Sequence, residues 1–179
     1  MKGAKGVEVD AGGGFWACVF PSSARKTIRL LLFMVSRQHQ YSSLTFQRFD
    51  GFEPLNIHFM HQQSDVEGTI PLLFCHGWPE SFLEVTKILP LLTKGGMEHP
   101  VFHVIAPSLP NYGFSSGTKR KGFGLKQYAE TCHLLMLKLR YENYLSQGGD
   151  WCTMITRILT LIHHEALMAH HINLPWTPA

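Results

Sequence analysis

Tyr144-Leu145-Ser146-Gln147-Gly148-Gly149-Asp150-Trp151-Cys152 holds the turn around which the rest of the chain is organised. Tyr144 and Leu145 lead into a strand ending near Gly149. From Trp151 to His164, Ile155, Ile158, Leu159 and Ile162 recur at helical spacing and are expected to face inward. Between strand and helix, Gly148-Gly149-Asp150-Trp151-Cys152 has the form small, any, Asp, any, small. A strand that turns at once into a helix lifts its central side chain above the sheet, the arrangement called a nucleophile elbow. Small residues are needed on either side because the strand end and the helix start pack almost backbone to backbone. Gly148 and Cys152 meet that need, cysteine being small and apolar. The helix N-terminus behind Asp150 favours its ionised form. The competing reading is an ordinary aspartate opening a helix, where Asp is a favoured N-cap.

Working outward, the segments alternate in type. Leu55 to His61 alternates apolar and polar residues, as a half-buried strand does. Ile70 to Cys75 is a continuous apolar run, which suits a strand buried on both faces. A helix is predicted from Pro79, with Phe82, Val85, Ile88 and Leu89 on one side. Val101 to Ala106 is a second buried strand, closed by Pro107. Leu125 to Tyr141 is a helix with Tyr128, Cys132, Leu135 and Leu139 in one stripe. His170 to Leu174 is a last strand. Alternation of this kind builds a mostly parallel sheet with helices on both faces, whose ligands sit beyond the carboxyl ends of the strands.

Two further loops follow predicted strands. His76-Gly77-Trp78-Pro79 comes directly after Ile70–Cys75. Gly77 permits close backbone approach and Pro79 constrains the turn. In α/β-hydrolases one oxyanion donor comes from such a loop and the other from the residue after the nucleophile. Here the donors are the backbone N–H groups of Trp78 and Trp151. The His76 side chain is expected to be structural, because a backbone donor needs no free imidazole. Pro107 to Ser115 follows the Val101 strand and is rich in turn residues. Its Ser115 and the adjacent Ser116 lack a GxSxG context and are not expected to be nucleophiles.

With HGWP at 76–79, PSLPNYGFS at 107–115 and QGGDW at 147–151, the chain resembles the microsomal-type epoxide hydrolases in motif order and approximate spacing. Ile155 to Leu159, and Asn173-Leu174-Pro175-Trp176, resemble the helix and strand that follow that family's nucleophile. The resemblance covers residues 41 to 176. It implies an α/β-hydrolase core in which the Asp150 carboxylate opens an epoxide to a hydroxyalkyl ester. A water activated by a histidine, itself oriented by an acid, then releases a diol. It also implies two cap-domain tyrosines that activate the epoxide oxygen. A dehalogenase of the same fold and a non-catalytic remnant are the alternatives.

After Asp150 only 29 residues follow. A helix of thirteen residues at 1.5 Å each would carry His163 and His164 about 20 Å from the turn. His170 and His171 are expected at the N-terminal edge of the next strand, away from the site. The expectation is therefore a partial α/β-hydrolase core over residues 41–179, cut before the cap domain, poorly soluble and without turnover. Residues 1–40 remain unassigned, either disordered or the product of a gene-prediction error, with a short helix conceivable over Ala24–Gln38.

Composition sets the outer bounds. The chain has 179 residues, 45% of them hydrophobic and 16% charged, which is globular rather than disordered. A net charge of +3 is too small to indicate nucleic acid, and Lys119-Arg120-Lys121 is read as a solvated loop. Cys18, Cys75, Cys132 and Cys152 form no CxxC pair, so reduced thiols in a reducing, cytoplasmic-type compartment are expected. The adjacent histidine pairs point in different directions and there is no HExxH, so neither a metal nor another cofactor is expected. No apolar run approaches the ~20 residues of a membrane span, and no clear signal peptide is present. The partner expected is a small apolar epoxide.

Overall fold

A computed structural model describes residues 40–46, 51–94 and 99–174. Cys18, the conceivable helix at 24–38, almost all of the unassigned segment, and Pro175-Trp176 lie outside the described residues. Six strands form one sheet in the order β1-β2-β4-β3-β5-β6. They are β1 (Gln40–Phe46), β2 (Leu55–Gln62), β3 (Ile70–Cys75), β4 (Phe102–Pro107), β5 (Tyr144–Gly148) and β6 (Leu167–Ile172). β1 pairs with β2, and β2 with β4, in antiparallel fashion. The pairs β3–β4, β3–β5 and β5–β6 are parallel.

Why β3 and β4 are largely apolar runs follows from their two covered faces. On one face Leu73, Cys75, Ile105, Phe59 and Tyr144 join a single core with Tyr128, Cys132, Leu135, Ile155 and Leu159. Those last five belong to α2 (Leu125–Lys138) and α3 (Cys152–Ile162). Strand alternation turns Leu72, Phe74, Val104 and Ala106 to the other face. On that face the His58 ring meets Phe82 at 4.9 Å. Phe82 opens a 3-10 helix (Phe82–Lys87) that is followed by α1 (Leu89–Lys94). The predicted mostly parallel sheet with helices on both faces is therefore the fold observed.

Several local expectations change. The helix predicted from Pro79 begins only at Phe82, because Ser81 caps it by accepting the Leu83 N–H, and its first part is a 3-10 helix. Pro79 stays in the loop, on a cis peptide after Trp78. Ile162 of α3 is 38% exposed rather than inward, since it lies in the last turn, beyond the sheet. β6 starts at Leu167, not His170, so His170 lies in mid-strand opposite Ser146 rather than at the N-terminal edge. β1 was not anticipated: Ser42-Ser43 interrupts its alternation, and pairing with β2 is what holds it extended. Lys119 and Arg120 are exposed, yet they are tied to the turn at Gly51–Glu53 through Lys119 N–H to Glu53 and Arg120 to the Gly51 carbonyl. Among the described residues no helix is long and apolar enough to cross a membrane.

Candidate active site

Register brings the predicted motifs together. Cys75, the last residue of β3, pairs with Gly148, the last residue of β5. The loops that leave these two strands therefore emerge side by side at the carboxyl edge. β3 is also where the strand order reverses, with β4 on one side and β5 on the other.

At the elbow Asp150 adopts φ = 50°, the left-handed region that asparagine and aspartate tolerate better than most side chains. Crowding explains the flanking glycines. A Cβ on Gly148 would lie 2.7 Å from the Cys152 carbonyl oxygen and closer still to the Thr156 hydroxyl. A Cβ on Gly149 would collide with the Asn173 amide. Across the cleft, a Cβ on Gly77 would come within 3.0 Å of the Asp150 Cβ. Glycine at 77 is thus what lets the two loops touch.

The Asp150 carboxylate is exposed, and its Oδ1 accepts the Trp78 N–H at 2.9 Å. That bond, and a second from the Trp151 N–H, hold its pKa below the ordinary 3.8, against a small opposing effect of burial. An N-cap aspartate has extended backbone and accepts from amides two or three residues ahead in its own helix. Asp150 has left-handed backbone, and its partner Trp78 comes from another loop. The carboxylate is therefore not an ordinary cap. It sits against the two amides that the sequence singled out as oxyanion donors.

His76 is 1% exposed. Its Nδ1 lies 2.9 Å from the Gly77 carbonyl and its Nε2 accepts the Leu109 N–H at 3.4 Å, which together specify the neutral Nδ1–H tautomer. Burial holds its pKa below the usual histidine value, with weaker opposing effects from the Gly77 carbonyl and Glu80. The ring thus joins the 76–79 loop to the loop after β4. The Cys152 thiol donates to the His76 carbonyl, and burial pushes that thiol up, out of reach of physiological ionisation. Pro79 makes no polar contact that bears on Asp150.

The loop after β4 is stitched to β2 by its serines. Ser115 Oγ accepts the His58 N–H at 2.9 Å and donates to the Ser108 carbonyl, and Ser116 Oγ accepts the Asn56 N–H at 2.7 Å. These hydroxyls have structural partners on the backbone of β2 and of their own loop. The same loop presents Tyr112, which packs on His76 at 5.5 Å and lies 6.4 Å from Trp151. Trp151 also meets Tyr128 edge-on at 5.2 Å, while Trp78 is 57% exposed. The carboxylate is therefore flanked by aromatic surface.

Sequence reasoning missed Glu84, whose Oε2 accepts the Gly77 N–H at 2.9 Å. It also missed Thr156, which packs beneath Gly148 and bonds His170 Nε2 at 2.9 Å. The HGWP loop gives no sign that a helix residue seven positions on will hold it. His163 Nε2 lies 3.1 Å from Glu130 and its ring stacks on His133 at 3.7 Å, away from the elbow as helix length implied. Among the described residues, no group of three or more His, Cys, Asp or Glu side chains is arranged to hold a metal ion.

The chain matches the family model for the alpha/beta hydrolase fold over residues 70–173 and that for the epoxide hydrolase N terminus over residues 35–85. It is 38% identical over 130 residues to epoxide hydrolase 1 of Oryctolagus cuniculus, covering 68% of this chain and 29% of that protein. It is 39% identical over 128 residues to juvenile hormone epoxide hydrolase 2 of Ctenocephalides felis, covering 69% and 28%. The crystal structure of juvenile hormone epoxide hydrolase from the silkworm Bombyx mori superposes with a TM-score of 0.70 at 32% identity, covering 89% of this chain and 40% of that one. The chain thus spans about a third of the length of the curated relatives it matches. By motif register, sheet order and these matches together, the chain belongs to the epoxide hydrolase family of the α/β-hydrolase fold.

Proposed function

We propose that Asp150 is the nucleophile that opens an epoxide ring, and that the observation carrying this role is the 2.9 Å bond from Trp78 N–H to its Oδ1. A carboxylate so held keeps one oxygen fixed and ionised while the other is free to attack. Attack on a ring carbon forms a C–O bond to Asp150 and breaks the ring C–O bond. The electron pair goes to the ring oxygen, which takes up a proton. The product is a hydroxyalkyl ester of Asp150.

The amides then have a second use. The held oxygen becomes the ester carbonyl oxygen, and water addition turns it into an oxyanion facing the N–H groups of Trp78 and Trp151. Collapse of that adduct releases a diol and restores the carboxylate. Aspartate suits this role because the carbonyl attacked is the protein's own. The exposed Trp78 and the Tyr112–Trp151–Tyr128 aromatics favour an apolar epoxide as substrate. The relatives' printed names, epoxide hydrolase among mammals and insects, support the same substrate class. The free thiols Cys75, Cys132 and Cys152 support a reducing compartment such as the cytoplasm.

The second half-reaction needs a general base. The imidazoles of His76, His163 and His170 are bonded to Leu109 and Gly77, to Glu130 and to Thr156 respectively. This favours a second reading in which the chain captures its ligand without turning it over. A stoichiometric assay tests the proposal: the chain consumes styrene oxide up to one equivalent or beyond, and Asp150→Asn consumes none. Halide release from a chloroalkane with no epoxide consumption would overturn it in favour of a dehalogenase.

A further inference from the structure

We infer that Glu84 is a positioning residue of this site: by accepting the Gly77 N–H it fixes the His76–Gly77 peptide, the base from which the next amide, Trp78 N–H, points at Asp150. The inference deepens the proposed role of Asp150 and rests on it for its functional meaning. The geometry is a pair of consecutive amides shared between two carboxylates. Gly77 N–H donates to Glu84 Oε2 at 2.9 Å, and Trp78 N–H donates to Asp150 Oδ1 at 2.9 Å.

Gly77 has no side chain to restrict its rotation, and one there would crowd the Asp150 Cβ at 3.0 Å. Something else must fix the peptide. Upstream, the Cys152 thiol holds the His76 carbonyl, and the His76 ring is anchored to Leu109. Downstream, Trp78 is followed by Pro79, which has no N–H to contribute. The His76 ring holds the Gly77 carbonyl, and Glu84 holds the Gly77 amide on the other side of the same residue. Glu84 stands in the first turn of its 3-10 helix, where an acid is ordinarily explained by the N-terminal dipole. Here its Oε2 reaches back seven residues instead. The nearness of its charge to the elbow also shows in Cys152, whose thiol Glu84 helps to push up, after the larger effects of burial and Cys132.

Carboxyl-carbon NMR titration of Asp150 tests this without requiring turnover. Glu84→Ala loses the acceptor, loosens the Trp78 amide and should raise the Asp150 midpoint by roughly one pH unit. Glu84→Gln keeps an acceptor oxygen and should leave the midpoint at the wild-type value or slightly below. If Glu84 acted only through its charge, both variants would shift the midpoint downward alike. That result, or an unmoved midpoint in Glu84→Ala with the circular dichroism spectrum preserved, overturns the inference. An unfolded Glu84→Ala would leave Glu84→Gln to decide: the Trp78 amide proton keeps its wild-type shift if the acceptor is what matters and moves if it is not. Covalent capture of styrene oxide by the wild type is measured alongside. Its absence with the expected titrations would defeat the nucleophile reading alone and leave the Glu84 contact standing.

Discussion

The backbone N–H of Trp78 donates to Asp150 Oδ1 across 72 residues of chain. Two loops that are distant in sequence become one site because β3 and β5 are parallel neighbours whose last residues, Cys75 and Gly148, are paired. The hydrogen bond does two things. It lowers the carboxylate's pKa below the ordinary value, and it marks where an oxyanion would be stabilised.

Replacing Asp150 by Asn separates chemistry from fold. Asparagine tolerates φ = 50° about as well as aspartate and still offers an oxygen to Trp78 N–H. Asp150→Asn is expected to change the unfolding free energy by less than about 1 kcal/mol while abolishing covalent capture of an epoxide. Urea unfolding and intact-mass spectrometry read the two effects.

The two elbow glycines should differ in their tolerance of alanine. At Gly148 the added methyl meets the Cys152 carbonyl, part of the backbone of α3, at 2.7 Å, and backbone cannot step aside. At Gly149 it meets the end of the Asn173 side chain, which can rotate away. Gly148→Ala is therefore expected to cost about 2–3 kcal/mol and Gly149→Ala about 1 kcal/mol, measured by urea midpoints.

His76→Ala removes a buried ring and leaves the Leu109 N–H and the Gly77 carbonyl without that partner. A cost of about 2–4 kcal/mol is expected from the cavity and the lost bonds together. Because the ring anchors the 76–79 loop, the Asp150 midpoint should also rise, which a cavity elsewhere in the core would not produce. Carboxyl NMR checks the midpoint and thermal melting checks the stability.

Acid should destabilise the fold through its buried imidazoles. Burial takes the His58 pKa down to about 4, and it lowers those of His61, His76, His103, His133 and His170 as well. A histidine with a lowered folded pKa binds its proton more readily when unfolded. Its contribution is complete above the ordinary value of 6.5 and is lost as pH falls from there toward 4. Asp150, depressed below 3.8, acts in the same direction at still lower pH. Urea midpoints are expected to fall steadily between pH 6.5 and 4.5, with a shallower slope in His58→Asn. A flat profile across that window would contradict the burial of these rings.

Much of this arrangement was legible because it depends on local patterns. The short apolar runs at 70–75 and, around His103, at 101–106 suit strands covered on both faces, and small residues around Asp150 could be read as steric necessity. Helix length alone separated His163 from the elbow. What stayed hidden depends on tertiary contacts. β1 exists because β2 offers it partners. The helix starts at Phe82 rather than Pro79 because Ser81 caps it. His170 lies in mid-strand rather than at the strand's start because β6 begins at Leu167, where neither Ala166 nor Leu167 carries a boundary signal of its own. Glu84 carries no signal in the sequence, and only the folded loop shows which amide it holds.

The central claim is that Asp150 forms a covalent ester with an epoxide. The direct measurement is acid-quenched digestion after exposure to styrene oxide, followed by tandem mass spectrometry of the peptide containing Gly148 to Arg157. That peptide is expected to gain the mass of one epoxide, with the fragment series placing it on Asp150 and the gain absent from Asp150→Asn. An adduct on Cys152 or a histidine instead, or an adduct undiminished in Asp150→Asn, would contradict it.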